Sequence, residues 1–351
     1  MNLAKAMILQ FIQYIGKGEL EKELPSDIKV ESWCDKKYAE LTELQKHFIM
    51  PLKVLFFGKR KAKKELKGKY DVEISFLEGP ITRMFSYKNE NSKKIVWIHN
   101  DISKVFGSGI KAKLKRFIDK KIYSKYQDLI FVSNDNKEKF EKTYPEIKSK
   151  KQVIYNYINS KKVLEKAEEF VPEEIKEEKI NLVTVTRLVK QKGIDRLIKV
   201  HSKLIKQGLN HEIFVIGDGP EKENLENQIK EENVENTFHL LGAKQNPYPY
   251  MKKANYFCLL SYFEGYGMVL EEAKILNKKI IITDTAGREA VNGYNKAIIL
   301  ENEEEKIYQG LEKIIKSDLE KNETIDKSEK QEEFIYNNSN IINEIQKLVG
   351  E

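Results

Sequence analysis

The chain has 351 residues, 40% of them hydrophobic and 33% charged, and its 62 Lys and Arg against 55 Asp and Glu give a net charge of +7. That is enough apolar material for one large or two medium domains, and a polar share made of Lys and Glu rather than Pro and Gly excludes a disordered chain. Two cysteines, Cys34 and Cys258, exclude a disulfide scaffold and a cysteine-based zinc site and fit a reducing compartment.

In chain order, strands are expected at 7–14, 28–33, 72–77, 94–99, 130–133 and 152–156. Helices are expected between them at 42–67, 80–87, 112–126 and 137–143. A Glu- and Lys-rich stretch with one Pro, 161–178, reads as a linker. Strands at 181–186, 213–217, 238–241, 256–261, 279–283 and 297–300 then alternate with helices at 193–207, 221–233, 249–254, 269–276 and 303–316. A polar helix is expected within 328–349. Short apolar strands alternating with helices indicate βαβ units around a buried parallel sheet. The expected fold is α/β: two Rossmann-like, doubly wound domains, 1–160 and 179–326, facing a cleft, with 327–351 returning toward the first. The apolar runs are strand-length, short of the ~20 residues a spanning helix needs, and no signal segment opens the chain. A cytoplasmic protein is expected, peripheral at most to the inner face of the plasma membrane.

Charge divides unevenly. Residues 1–160 carry 33 basic and 20 acidic side chains, a net +13, and the remainder a net −6. Two clusters stand out: KRKAKKELKGK from Lys59 through Lys69, and KAKLKRFIDKKIYSK from Lys111 through Lys125. In the second, Leu114, Phe117, Ile118 and Ile122 fall at helical spacing among the lysines, the pattern of a basic amphipathic helix suited to an anionic membrane. Scattered solvated lysines are the alternative. A nucleic-acid partner is not expected, because the basic runs carry no recognition motif.

Ligands of doubly wound sheets bind beyond the carboxyl ends of the strands, so chemistry is sought there. Glu264-Gly265-Tyr266-Gly267 follows one strand and opens a helix carrying Glu272. Glycines at a helix start let N–H groups approach a phosphate, and a carboxylate accepts from vicinal sugar hydroxyls. The alternative is a plain turn with surface glutamates. Arg187, Lys190 and Lys192 follow another strand and could clamp a diphosphate, or form a basic turn. Gly217-Asp218-Gly219-Pro220 borders a nucleotide pocket or makes a tight turn. His99 and Asp101 end a first-half strand. His99 could bond a sugar hydroxyl or be a satisfied core histidine, and Asp101 could orient an acceptor or cap the next turn. No Asp-x-Asp pair, P-loop, complete Gly-x-Gly-x-x-Gly, Gly-x-Ser-x-Gly or His-Glu-x-x-His occurs.

The ordered set VTVTRLVKQKGIDRLI, FVIGDGPEKENL and FHLLGAKQNPYPYMKKANYFCLLSYFEGYGMVLEEAKILNKKIIITDTAGREAV resembles the C-terminal domain of retaining GT-B glycosyltransferases of the group 1, or family four, type, which includes capsule and lipopolysaccharide transferases. DVEISFLEGPITR and KKIVWIHND resemble the first domain of members that assemble surface polysaccharides. The resemblance implies a nucleotide-sugar donor, UDP by default, and a growing glycan or lipid-linked acceptor. It implies retention of anomeric configuration and no cofactor or metal. Arg187 and Lys192 would hold the diphosphate, aided by backbone amides around Gly265, Tyr266, Gly267 and Met268 and by Gly217. Glu272 would bind ribose, Glu264 the transferred sugar, and His99 would lie beside that sugar. The family's opening strand and Gly-rich loop are expected to be absent, leaving the first domain incomplete, and a catalytically silent sugar-nucleotide or partner-binding module is the alternative reading.

Overall fold

Alternation of apolar strands and amphipathic helices builds three parallel sheets. The structure is a computed structural model that describes residues 10–13, 24–32, 40–42, 44–105, 109–322 and 338–350. Cys34, the ends of the expected strands at 7–9, 14 and 33, and the expected helix start at 328–337 lie outside the described residues. Strands β1 (Gln10–Gln13) and β2 (Lys29–Ser32) pair with each other, Gln10 opposite Lys29. Strands β3 (Val72–Ser75), β4 (Lys93–Ile98), β5 (Asp128–Phe131) and β6 (Lys150–Val153) form a four-stranded sheet in sequential order. Among the described residues, β1 and β2 join neither larger sheet.

The second half forms a six-stranded sheet from β7 (Asn181–Val185), β8 (Glu212–Ile216), β9 (Phe238–Leu240), β10 (Tyr256–Leu259), β11 (Lys279–Thr283) and β12 (Ala297–Leu300). Its order is β12-β11-β10-β7-β8-β9, all parallel. Central strands are buried along their length, as in β8 and β10, because helices cover both faces. Helix Ile194–Lys206 shows why: Ile194, Leu197, Ile198 and Leu204 recur at helical spacing and are all buried. Helix Glu304–Asn322 adds Ile307, Leu311 and Ile315 to the same core.

The opposite face of this sheet shares one apolar cluster with the first half, in which Ile95, Trp97 and Ile130 meet Val183, Phe257 and Leu270. Helix Ser339–Val349 joins this cluster through Ile341 and Leu348, and the Leu348 carbonyl accepts from Lys93 Nζ at 2.8 Å. The segment read as linker begins as helix Ser160–Ala167, capped by the Asn159 side chain.

Two buried polar networks set local geometry. In the first half, Glu73 accepts from Lys94 Nζ at 2.5 Å and from Tyr87 Oη and Asn89 Nδ2 at 2.6 Å, tying β3 to β4. The expected helix at 42–67 is present but contains π-helical turns at Gln45–Ile49 and Val54–Gly58. Pro51, which has no N–H to donate, lies between them.

In the second half, His211 Nδ1 donates to the Leu209 carbonyl at 2.7 Å, leaving Nε2 to accept from His201 Nδ1 at 2.8 Å. His201 Nε2 then accepts from Thr237 Oγ1 at 2.8 Å. A proton added to either ring breaks this chain. Burial, then the neighbouring His211 and His239, depress His201 to about 2, and burial depresses His211 to about 4. The unfolded chain binds these protons near pH 6.5 while the fold refuses them. This contribution is therefore complete above about pH 6.5 and is lost as pH falls, by about 1.4 kcal/mol per pH unit per histidine. Urea unfolding between pH 7 and pH 5 should show this slope, and a His201→Leu/His211→Leu variant should unfold with about two fewer protons taken up.

Candidate active site

The six-stranded sheet reverses its order between β10 and β7, and the connections leaving adjacent carboxyl ends diverge there to open a crevice. Thr186 to Gly193 leaves β7, and Leu260 to Gly267 leaves β10. Lys192 and Glu264, one on each connection, meet across the reversal. Lys192 Nζ lies 2.7 Å and 3.0 Å from the two Glu264 carboxylate oxygens, and Ser261 Oγ donates to Oε1 at 2.5 Å. The Glu264 side chain is only 5% exposed, so its charge stands only because it is paired. The connections are stitched further where Gln191 Nε2 donates to the Phe263 carbonyl at 2.9 Å and Tyr262 N donates to the Gln191 carbonyl at 2.8 Å.

Arg187 lies on the β7 connection, exposed. Among the described residues its side chain makes no hydrogen bond or ion pair, so the guanidinium is available to an anion. Lys190 instead pairs with Asp195 at 2.5 Å. Gly217 ends β8 with φ +147°, and a Cβ there would collide with the Thr186 carbonyl oxygen, so only glycine lets the β7 and β8 ends approach. Helix Met268–Ile275 starts after Gly267, with Met268 exposed. On that helix the two adjacent glutamates differ. Glu271 is buried, accepts from Tyr266 Oη at 2.5 Å and forms an ion pair with Lys274 Nζ at 2.8 Å. Glu272 accepts from Tyr248 Oη at 3.1 Å, and burial raises its carboxyl above the usual range, with the Tyr248 bond acting against the shift.

The other wall comes from β4. A Cβ at Gly265 would strike the His99 backbone oxygen, so the two halves touch at the glycine between Glu264 and Tyr266. The His99 ring packs 4.9 Å from Phe76, and its Nε2 is buried with no hydrogen-bond partner. Burial lowers its pKa; the Glu78 charge and a hydrogen bond to the Phe76 backbone pull the other way. Helix Asn134–Thr143 supplies more contacts. Its cap Ser133 donates to the Gly265 carbonyl at 3.0 Å and accepts from Asn136 N at 3.1 Å. Glu289 accepts from the amides of Asn134 and Asp135 at 2.7 Å and 2.6 Å, a carboxylate placed on free N–H groups at a helix start.

Lys192, Glu264, Gly265 and His99 are thus brought together. Arg187, Gly217, Gly267, Met268 and Glu272 lie on neighbouring strand ends and the helix that follows. The Tyr266 side chain is buried against Tyr155 and bonded to Glu271, which leaves its main chain to reach a ligand. One expectation changes. Asp101 is buried, accepts from Ser103 N at 3.0 Å and pairs with Lys139 at 3.1 Å, so it caps the turn after β4 and has no charge to spare for an acceptor. Burial acts to raise its carboxyl, but the Ser103 hydroxyl bond and the Lys139 pairing together hold it low. Ser261, Gln191, Tyr248, Ser133 and Glu289 were not anticipated. Only Ser133 gave a signal, as a cap residue before Asn-Asp-Asn.

Residues 165–337 match a family model described as Glycosyl transferases group 1. An uncharacterized glycosyltransferase of Methanocaldococcus jannaschii is 28% identical over 208 residues, which is 58% of this chain and 51% of that protein, so the match spans about half its length. The N-acetylgalactosamine-N,N'-diacetylbacillosaminyl-diphospho-undecaprenol 4-alpha-N-acetylgalactosaminyltransferase of Campylobacter jejuni is 27% identical, covering 88% of this chain and 90% of its own. Among solved structures, Anabaena HepE in complex with UDP and glucose superposes with a TM-score of 0.63 at 15% identity, over 90% of this chain and 91% of that one.

Glu289→Ala removes the carboxylate from the start of helix Asn134–Thr143. Hydrogen exchange at the Asn134 and Asp135 amides should accelerate at least tenfold, as expected for losing charge-assisted bonds of ~1.5–3 kcal/mol, while amides in β8 keep their protection.

Proposed function

The chain belongs to the group 1 GT-B glycosyltransferases, and from that premise we propose that it moves a hexosyl unit from a nucleotide sugar, UDP-linked by default, to a growing cell-surface glycan or lipid-linked acceptor, with retention and without a metal ion. The observation that carries this reading is the Lys192–Glu264 pair at the reversal of the sheet, with the unpaired Arg187 guanidinium on the same connection as Lys192 and the His99 backbone meeting Gly265 from the other half. The C. jejuni relative is named for a diphospho-undecaprenol acceptor, and the solved HepE complex holds UDP and glucose. Both support the substrate classes proposed here.

In the proposed reaction an acceptor hydroxyl oxygen bonds to the anomeric carbon as the bond from that carbon to the diphosphate breaks. The hydroxyl proton passes to the departing phosphate oxygen. The products are the glycoside and the nucleoside diphosphate. Glu264 is already held by Lys192 and Ser261, which favours an orienting role for it over that of a nucleophile or base. Arg187 and Lys192 supply the positive charge that stabilises the leaving diphosphate. Glu272, held by Tyr248, would accept from the ribose hydroxyls, and the unpartnered Nε2 of His99 would meet the sugar. Among the described residues no helix is long and apolar enough to cross a membrane. The chain would meet a lipid-borne acceptor peripherally, through the basic runs of its first half.

A hydrolysis screen across nucleotide sugars, followed by transfer to lipid-linked acceptors, tests the proposal. Absence of turnover with every donor, despite donor binding, would favour the silent module. Arg187→Ala should lower kcat/KM by about 10²–10³ with Tm unchanged, because the side chain has no partner in the fold. Glu272→Gln should raise the donor KM about tenfold with kcat nearly kept, the mark of a group that holds ground state and transition state alike.

A further inference from the structure

We propose that Lys278 is an acylation site, open to small acyl phosphates, and that its acylation weakens donor binding by loosening the contact between Tyr248 and Glu272. The effect on the donor rests on the reading above, in which Glu272 holds the ribose. The modification site itself does not.

The helix that carries Glu272 ends in a fixed turn. Asn277 takes a left-handed φ of +55°, its amide donates to the Lys274 carbonyl at 2.8 Å, and the Lys278 amide donates to the Ala273 carbonyl at 3.0 Å. This closure sets the direction in which Lys278 leaves the helix. Lys278 Nζ donates to the Lys252 carbonyl at 2.8 Å, in the last turn of helix Tyr248–Lys253. That helix begins with Tyr248, whose hydroxyl donates to Glu272 at 3.1 Å. Tyr248, Ile275 and Leu276 also share one small apolar cluster. Lys278 therefore staples the end of the helix that carries Glu272 to the end of the helix that carries Tyr248. Its ammonium sits where the carbonyl end of a helix favours positive charge.

The amine is crowded by its own kind. Lys279 follows it at the start of β11, Lys252 faces it from the helix end, and Lys296, the residue before β12, bonds Asn277 Oδ1 at 2.9 Å. The other charged and titratable groups of this corner are engaged elsewhere. Glu168 pairs with Lys252, Lys253 donates to the Pro172 carbonyl at 2.8 Å, and Tyr294 Oη donates to the Lys278 carbonyl at 2.8 Å. Burial, then Lys296, Lys279 and Lys252, lower Lys278 to about 8. At about pH 7.5 roughly a quarter of such an amine is unprotonated, against about one part in a thousand for an ordinary lysine. A free amine among three cations has the surroundings of an activated lysine nucleophile. The same cations attract a reagent that carries a phosphate. The Lys252 contact lies at the protein surface, within reach of a small reagent.

In the step, the neutral Nζ bonds to the acyl carbon as the bond from that carbon to the phosphate oxygen breaks. Inorganic phosphate leaves with the electron pair, and the surplus proton on nitrogen passes to water. The product is a neutral amide with one N–H in place of three, and the charge at the helix end is gone. The added acyl group needs room beside a half-buried side chain. The Lys252 contact gives way, and Tyr248 loses the support that holds it on Glu272.

The test is incubation of the full chain with acetyl phosphate, with acetylation read site by site by mass spectrometry. Lys278 should acetylate at least tenfold faster than the exposed control Lys148, and its rate should climb with pH and level off above about 8. Equal rates at the two lysines, or a Lys278 rate indifferent to pH, would overturn the modification site. Binding of UDP, GDP and ADP is then measured by calorimetry. The acetylated chain and a Lys278→Gln variant should hold the preferred diphosphate about threefold to tenfold more weakly. Lys278→Arg keeps the charge and should bind as wild type does, before and after exposure to the reagent. Unchanged binding in both the acetylated chain and Lys278→Gln, where Glu272→Gln does weaken it, would overturn the effect on the donor. Should Lys278→Gln not fold, the acetylated wild type carries that measurement. A wild type that acetylates at Lys278 in the expected pattern but binds none of the diphosphates would sink the nucleotide-sugar reading and leave the modification site standing.

Discussion

The ammonium of Lys192 and the carboxylate of Glu264 are 72 residues apart in sequence and 2.7 Å apart in space, and they meet because the sheet reverses between β7 and β10. On each side of that line the crossovers leave for opposite faces, so the two connections are not roofed by a common helix. An open crevice would admit water to Glu264 and let it turn away. Pairing to Lys192 and Ser261 fixes it, and at 5% exposure the carboxylate has no competing solvent. Removing one member of such a pair leaves a buried charge, at a cost of about 3–5 kcal/mol. The pair therefore organises the site before any ligand arrives, with Arg187 left as the unspent cation on the same connection.

The first half meets this site with backbone rather than charge. His99 contributes its carbonyl to the contact with Gly265, and helix Asn134–Thr143 contributes its amide end to Glu289 and its cap to Gly265. These contacts are directional and short-ranged, so they fix the distance between the halves, whereas the shared cluster around Trp97 and Leu270 is apolar and fixes only that they adhere. A glycine is required where the walls touch, and the acidic residue on the helix start comes from the opposite half. The His99 ring is held in turn by its packing on Phe76.

The second half was legible because its strands are buried on both faces. β11 and β12 occupy the residues expected of them, 279–283 and 297–300, and the other strands there fall within two residues. Helix Glu304–Asn322 outran the expected 303–316 because its last turns are polar helix formers with little periodicity. Helix Asn134–Thr143 began three residues before the expected 137 because Asn-Asp-Asn is a weak helix start, made good by the Ser133 cap and by Glu289, a residue 155 positions from Asn134. Sequence placed Arg187, Lys192 and Glu264 after strand ends and Glu272 on the helix that follows, since both are local features. It did not show that Lys192 would bind Glu264, that Glu271 rather than Glu272 would be consumed by the fold, or that Asp101 would cap its own turn. The first is decided by a partner 72 residues away, the other two by which neighbouring side chains the local backbone turns inward.

Charge shows the same limit from the other side. A net +13 over 160 residues invites an anionic partner but does not locate it, because most lysines are answered locally. Lys139 is shared between Asp101 and Asp135, Lys94 is buried on Glu73, and Lys93 reaches Asp128. What remains after such pairing is smaller and has a shape. Two sequence clusters supply five of the six cations that line the groove of Lys59, Arg60, Lys63, Arg83, Lys121 and Lys125, but Arg83 comes from a third helix, Pro80–Phe85, that neither cluster contains. Unpaired charge is therefore a more informative quantity than net charge, since acids placed at Glu65 and Glu146 silence the neighbouring lysines and leave the groove as the concentrated positive surface of the first half.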